Sequence, residues 1–216
     1  MESNTVATLR HTVVNAIRGM IMDGELPPGA RLVDHDLCDR LHISRNTLRE
    51  CYRQLEAEGF IEIKPHRGPV VVTVTDDQAR QIYETREAVE CFAIRQFTVR
   101  ASDEQVASLR DVGLKLADAV LEGDGVKVDE WKNRYYDRLF EGAENHVLHD
   151  QARLLYSRLA RLRARSLSHP GRAEQSAREI RSTLVAIEGR RIDEAEAAWR
   201  IHIQHARAAA LAEDAS

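Results

Sequence analysis

From residue 76 to the end, the sequence carries one kind of pattern: apolar residues at helical spacing, cut into segments by capping and glycine signals, with no alternating strand run. A chain segment of that kind can fold only as a helical bundle. The earlier part differs. Four of the five prolines (Pro27, Pro28, Pro65, Pro69) fall before residue 70, and the one β-rich stretch lies there too. The boundary is expected near 74–76, giving a first domain over 1–75 and an all-helical second domain over 76–216. The fold class predicted is mostly α: a winged helix-turn-helix with a small β-hairpin, followed by a six-helix bundle.

In the first part, Leu9, Val13, Ile17, Met20 and Ile21 recur at helical spacing and Gly24 stops that helix. Leu32, Leu37 and Leu41 are assigned to a short second helix, whose start is favoured by acidic Asp34 and Asp36. Ser44 is an N-cap for a third helix over about 45–58, with Leu48, Cys51, Tyr52 and Leu55 facing inward and Gly59 ending it. Two β-rich runs, 60–64 and 69–74, flank Pro65-His66-Arg67-Gly68 and read as a hairpin.

The second part opens with two capping boxes, Thr75-Asp76-Asp77-Gln78 and Ser102-Asp103-Glu104-Gln105. Ile82, Ala88, Val89, Phe92, Ala93 and Phe97 mark the first of its helices. Gly123 and Gly125 break the second, and further helices are predicted near 127–142, 146–167, 173–188 and 192–211. Ile82, Val89 and Phe92 suit either the monomer core or a subunit interface.

Composition narrows function by exclusion. With 43% apolar and 31% charged residues, the chain is globular and not disordered. Its 31 Lys and Arg against 35 Asp and Glu exclude a polybasic tail protein, so any nucleic-acid contact must come from a local cluster. No membrane-length apolar run and no apolar signal core near the start are seen, so a cytoplasmic location is expected. Cys38, Cys51 and Cys91 are widely spaced and read as reduced thiols, not a disulfide or zinc framework. The sequence has no Gly-x-Ser-x-Gly, no phosphate loop and no His-Glu-x-x-His, which argues against an enzyme.

Two short helices followed by a hairpin are the parts of a winged helix-turn-helix, whose second helix presents its N-terminal residues to base edges. That helix begins Ser44-Arg45-Asn46-Thr47-Leu48-Arg49-Glu50, with Arg45, Arg49 and Arg53 four residues apart on one face. Arginine can grip guanine O6 and N7 with two hydrogen bonds. A solvated helix face accounts for the same arginines, and residues 1–75 have no basic excess.

The order and spacing of Gly24-Glu25-Leu26-Pro27-Pro28-Gly29-Ala30-Arg31-Leu32, then Ser44 to Glu50, then Leu55-Glu56-Ala57-Glu58-Gly59-Phe60, resemble the GntR family of bacterial transcription regulators. The resemblance covers about residues 9–74 and implies operator DNA bound by a homodimer. Arg31, Arg45, Thr47 and Arg49 match DNA-contact positions of the family, and Arg67-Gly68 matches its wing tip. Ser44, Asn46 and Arg53 complete the expected reading face. His35 stands beside a first-helix contact where the family often carries a basic or acidic residue. The helical remainder resembles the FCD effector domain of the FadR-like subfamily, through Arg86-x-x-Val89-Glu90-x-x-Ala93, Glu144-Asn145-His146-Val147-Leu148, Ile192-Asp193-Glu194-Ala195 and Trp199-Arg200-Ile201-His202.

Many FCD domains hold a divalent metal with one Asp and three His. Counting along that pattern places Lys132, Tyr136 and Ile180 at three of the four ligand positions and leaves only His202. One imidazole cannot hold a metal, so the metal site is expected to be lost and no cofactor is expected. The pairs His146/His149 and His202/His205 have chelating spacing but read more simply as structural histidines. An ammonium at Lys132 in the interior needs an anion beside it. A small-molecule carboxylate or other anionic effector held by Lys132 and Arg86, with Tyr136 and His202 donating hydrogen bonds, meets that need. The other reading has Lys132 reaching water and the pocket packed shut, leaving an effector-independent DNA-binding regulator. The acid-free stretch 151–173 adds Arg153, Arg158, Arg161, Arg163, Arg165 and Arg172, either an anion site or partners for acids on neighbouring helices. The whole reads as a ligand-responsive regulator, expected to be a repressor, acting as a dimer on a palindromic operator.

Overall fold

The computed structural model describes residues 2–22 and 24–212; the side chains at 2–8, 11, 22, 153, 154, 156–158, 160 and 161 fall outside the description. Two compact units result, Met1–Val74 and Thr75–Ser216.

In the first unit, helix α1 (Glu2–Met22) is followed by α2 (Asp34–Leu41) and α3 (Arg45–Ala57), then strands β1 (Ile61–Lys64) and β2 (Gly68–Val71). Val13, Val14, Ile17, Met20 and Ile21 give α1 one buried face, and Leu48, Cys51, Tyr52 and Leu55 give α3 the matching one. Leu9 lies outside that core, 46% exposed. The strands pair antiparallel with Ile61 opposite Val71 and Lys64 opposite Gly68. Leu32 is fully buried but precedes α2. It belongs to a short extended segment that adds a bridge, Arg31 to Val70, at the edge of the hairpin. Backbone hydrogen bonds from Leu32 N to Pro69 O (2.9 Å) and from Val71 N to Ala30 O (2.8 Å) hold it there. The Tyr52 hydroxyl donates to Asp34 Oδ1 (3.2 Å), tying α3 to the start of α2.

The second unit consists of α4 (Asp76–Arg100), α5 (Asp103–Glu122), α6 (Gly125–Gly142), α7 (His146–Ser168), α8 (Arg172–Glu188) and α9 (Ile192–Leu211). Both capping boxes form as reciprocal hydrogen bonds, at Thr75/Gln78 and Ser102/Gln105. Asp124 caps α6 by accepting from the Val126 and Lys127 amides at 3.1 Å each, which starts that helix two residues before the predicted 127. α4 packs on α9, and α5 lies between α6 and α8. On α4, Ile82, Ala93 and Phe97 face the core, while Ala88 and Phe92 point outward, Phe92 being 46% exposed.

Gly142 permits a close approach of α6 to the Phe97 ring of α4. A Cβ there would lie 2.4 Å from Cε2 of Phe97, a ring with no exposure and no room to yield. Gly142→Ala is therefore expected to cost about 1–3 kcal/mol, despite alanine's better helix propensity. Chemical denaturation measures this; an unchanged or raised stability would show that the α4–α6 contact is looser than described.

Candidate nucleic-acid interface and ligand cavity

The Ser44 side chain caps α3 by accepting from the Thr47 amide (3.2 Å), and its Oγ lies 3.0 Å from Thr47 Oγ1. This fixes the first turn and presents Arg45, Asn46 and Arg49 to solvent, with Arg53 one turn further on. Thr47 is half-buried. The bridge at Val70 sets Arg31, also exposed, at the base of the hairpin. At the tip, Gly68 (φ 77°) and His66 (φ 61°) take left-handed conformations that turn the chain and expose Arg67. Exposed Lys64 and His66 also stand there; their signal was the local run of basic residues. Arg31, Arg45, Arg49, Arg53 and Arg67 form no side-chain ion pair among the described residues, whereas Arg18 pairs with Glu58 and Arg40 with Glu25. His35 has Asp39 3.3 Å away. Lys64 pairs with Glu62 (2.9 Å), and exposed Glu50 adjoins Arg49 in the sequence.

In the second unit, α4 to α9 enclose a cavity of about 40 Å³, lined among others by Arg86, Lys132, Tyr136 and His202. That is room for two or three water-sized groups, roughly the size of a carboxylate. Ile180 lines it as well, so all four positions matched to the family's metal ligands converge here. A lysine, a phenol, an isoleucine and one imidazole do not suit a divalent cation, and the imidazole Nδ1 is 2.8 Å from Glu179. Among the described residues no cluster of three His, Cys, Asp or Glu could hold one.

All four nominated residues are committed to an acid inside the protein. Glu90, with no exposure, accepts from Arg86 Nε (2.8 Å), the Tyr136 hydroxyl (3.0 Å) and Trp199 Nε1 (2.7 Å). The anion that Arg86 requires is thus supplied by the residue one turn along α4. Asp129 lies 3.1 Å from Lys132 and 2.9 Å from Arg163. Glu179 joins His202, His205 (2.6 Å) and Arg172 (3.0 Å). Sequence reasoning passed over these three acids as partners of the cavity residues; the signals were the Arg86/Glu90 spacing of four and the Asp129/Lys132 spacing of three.

Among the described residues, four cations, Arg86, Lys132, Arg163 and Arg172, meet three carboxylates, Glu90, Asp129 and Glu179, and Lys132 and Arg163 share Asp129. Buried donors at the cavity also lack a hydrogen-bond acceptor among the described residues: the Tyr83 hydroxyl, the Tyr135 hydroxyl, Arg163 Nη2, and Nε and Nη1 of Arg172. Burial raises both phenols above their ordinary range, so each keeps its proton and remains a donor. Of the arginine run, Arg165 lies 3.8 Å from Asp76, and Arg163 and Arg172 are paired as above. Arg153, Arg158 and Arg161 lie outside the described side chains. His149 stacks on Phe140 (ring centroids 5.1 Å apart), and His202 and His205 share Glu179 instead of chelating.

Burial pushes the His202 imidazole down to about 4 against the pull of Glu179. Burial also works against ionised Glu179, but His202, His205 and Arg172 outweigh it and hold that carboxyl below its ordinary value. As pH falls from about 6.5 to 4.5, the unfolded histidine takes up a proton that the folded one refuses, so stability falls. Glu179 contributes only below that window, where its protonation in the unfolded state removes stability further. Between pH 6.5 and 4.5, His202 is expected to cost about 2–3 kcal/mol. Urea midpoints against pH for the wild type and His202→Gln measure it; equal slopes would assign the loss to other groups.

The comparisons agree with this architecture. Residues 9–71 match "Bacterial regulatory proteins, gntR family" and residues 81–205 match "FCD domain". Among curated proteins, the Nta operon transcriptional regulator of Aminobacter aminovorans is 30% identical over 149 residues, 66% of this chain and 70% of that protein. The HTH-type transcriptional repressor RspR of Escherichia coli K12 is 23% identical over 93% of this chain and 88% of its own. Among solved structures, a GntR regulator from Rhodococcus sp. RHA1 (TM-score 0.71, 21% identity, 94% of this chain and 97% of that one) and E. coli McbR/YncC (TM-score 0.69, 20% identity, 91% and 93%) share the fold. No described helix is long and apolar enough to cross a membrane. With a GntR reading head and an FCD domain matched across more than half its length, the chain belongs to the GntR family of DNA-binding bacterial transcription regulators and is not an enzyme.

Proposed function

We propose that this regulator is a cytoplasmic repressor that binds a palindromic operator as a homodimer and answers to a small anion in the FCD cavity. The observation that carries the sensing half is the set of buried donors without an acceptor, on Tyr83, Tyr135 and Arg163, in a cavity of carboxylate size. A buried donor left without an acceptor is costly, and a small anion supplies one. Arg163, Tyr83 and Tyr135 are the groups that meet it, with Lys132 beside them; Arg86 and Tyr136 act through Glu90 to hold the wall, and His202 through Glu179. For the reading half, Arg45 and Arg49 face base edges, Arg31, Ser44, Asn46, Thr47 and Arg53 hold phosphates or adjacent edges, and Arg67 with Gly68 forms the wing contact. Support for the dimer comes from α4, where Ala88, Phe92 and Val99 fall on one exposed stripe at coiled-coil spacing. The relative RspR is named a repressor.

A thermal-shift screen of small carboxylates, with metal content measured on protein purified without chelator, tests the sensing half. A ligand that binds only the folded state raises the melting temperature. Stabilisation by a short monocarboxylate that Lys132→Met or Arg163→Met abolishes, with no stoichiometric metal, is expected. A stoichiometric metal, or stabilisation indifferent to both substitutions, would overturn it and favour the effector-independent regulator.

A further inference from the structure

Outside the enclosed cavity, at the corner where α7 meets α8, the second unit carries an open groove of about 430 Å³. His169, Arg172, Gln175, Arg178 and His205 line it, and among the described residues no carboxylate does. Gly171, in the left-handed region (φ 74°), opens the 17-residue helix α8 there with no side chain capping the first turn. The positive end of a helix dipole and its amide donors thus face a basic groove.

Two buried groups of this groove point to a ligand independently of the helix end. Arg172 is 4% exposed, and its Nε has no hydrogen-bond acceptor. Its Nη1 lies 3.0 Å from Glu179 without hydrogen-bonding alignment, and only Nη2 is bonded, to the His202 carbonyl at 3.3 Å. Nε2 of His169 is also buried without a partner. Arg178, on the outer side, is exposed and forms no ion pair among the described residues. Glu179 pairs with two of the groove residues, Arg172 and His205, so the cation left without an ion pair there, among the described residues, is Arg178.

We propose that this groove binds a tetrahedral oxyanion, a phosphate group either free or carried by a small phosphorylated metabolite. The donors approach from the helix end, from the two arginines and from the histidines. That is more directions than a two-oxygen carboxylate can answer, and a phosphate answers them all. Arg172 lines both this groove and the enclosed cavity, so the two adjoin at that residue, while His169, Gln175 and Arg178 line the groove alone.

The test uses the full-length protein in phosphate-free buffer, with inorganic phosphate, a phosphate monoester and acetate as probes, read by thermal shift and calorimetric titration. Both phosphates are expected to bind and acetate not to. Arg178→Ala is expected to weaken phosphate binding about tenfold or more. Ala173→Asp, which supplies a carboxylate to the open helix end, is expected to keep or raise the ligand-free melting temperature and to abolish the phosphate response. Lys115→Met, a surface cation of α5 outside the groove lining, is expected to leave phosphate binding unchanged. A monoester that binds more tightly than free phosphate identifies the metabolite as the source. No binding of either phosphate, or a response that survives both Arg178→Ala and Ala173→Asp, overturns the site.

Discussion

Replacing Glu90 with alanine is expected to lower the unfolding free energy by about 3–5 kcal/mol, the largest single-residue loss in the bundle. The acid has no exposure, and its removal leaves the Arg86 guanidinium buried without its counter-ion. The Tyr136 hydroxyl and Trp199 Nε1 lose an acceptor in the same stroke. The paired change Arg86→Met with Glu90→Leu removes both charges together and is expected to recover part of the loss, since an apolar pair can replace a buried ion pair at little cost. Urea unfolding of the three proteins measures this. A loss below about 1 kcal/mol in Glu90→Ala would mean that Arg86 finds water or another acid.

The second large effect is on DNA. Arg49→Ala is expected to weaken operator binding by about 1–3 kcal/mol while leaving binding to random DNA nearly unchanged. The side chain is exposed, unpaired and one turn from Arg45 on a helix end that Ser44 fixes. Loss of a phosphate contact, as expected for Arg31→Ala, weakens binding to all sequences alike. Equal losses on operator and random DNA in Arg49→Ala would remove this residue from the base-reading set.

What the sequence disclosed follows a physical division. Thr75/Gln78, Ser102/Gln105 and Ser44 were legible because a cap is a bargain between residues three apart, decided locally. Leu32 was assigned to α2 because its spacing suits a helix; its burial comes from pairing across to Pro69 and Ala30–Val71, a contact that periodicity does not record. Leu9 and Phe92 fit helical stripes yet face outward, because a stripe wider than the neighbouring helix leaves its margin uncovered. In the cavity, family resemblance brought Lys132, Tyr136, Ile180 and His202 to one place, and spacing alone does not. The partners Glu90, Asp129 and Glu179 were missed because an acid on a helix reads as a solvated face until its helix is packed. The unsatisfied hydroxyls of Tyr83 and Tyr135 belong to the same class: only burial on all sides separates them from ordinary core tyrosines.

The central claim is that α3 reads bases in a two-fold-symmetric site. It is tested most directly by selecting bound duplexes from a random-sequence pool with the full-length wild type and with Arg49→Ala. The account predicts enrichment of an inverted repeat by the wild type, and by the variant the same repeat with relaxed preference at one base pair in each half. Enrichment of no sequence, or of one whose preferences Arg49→Ala leaves untouched, would contradict it.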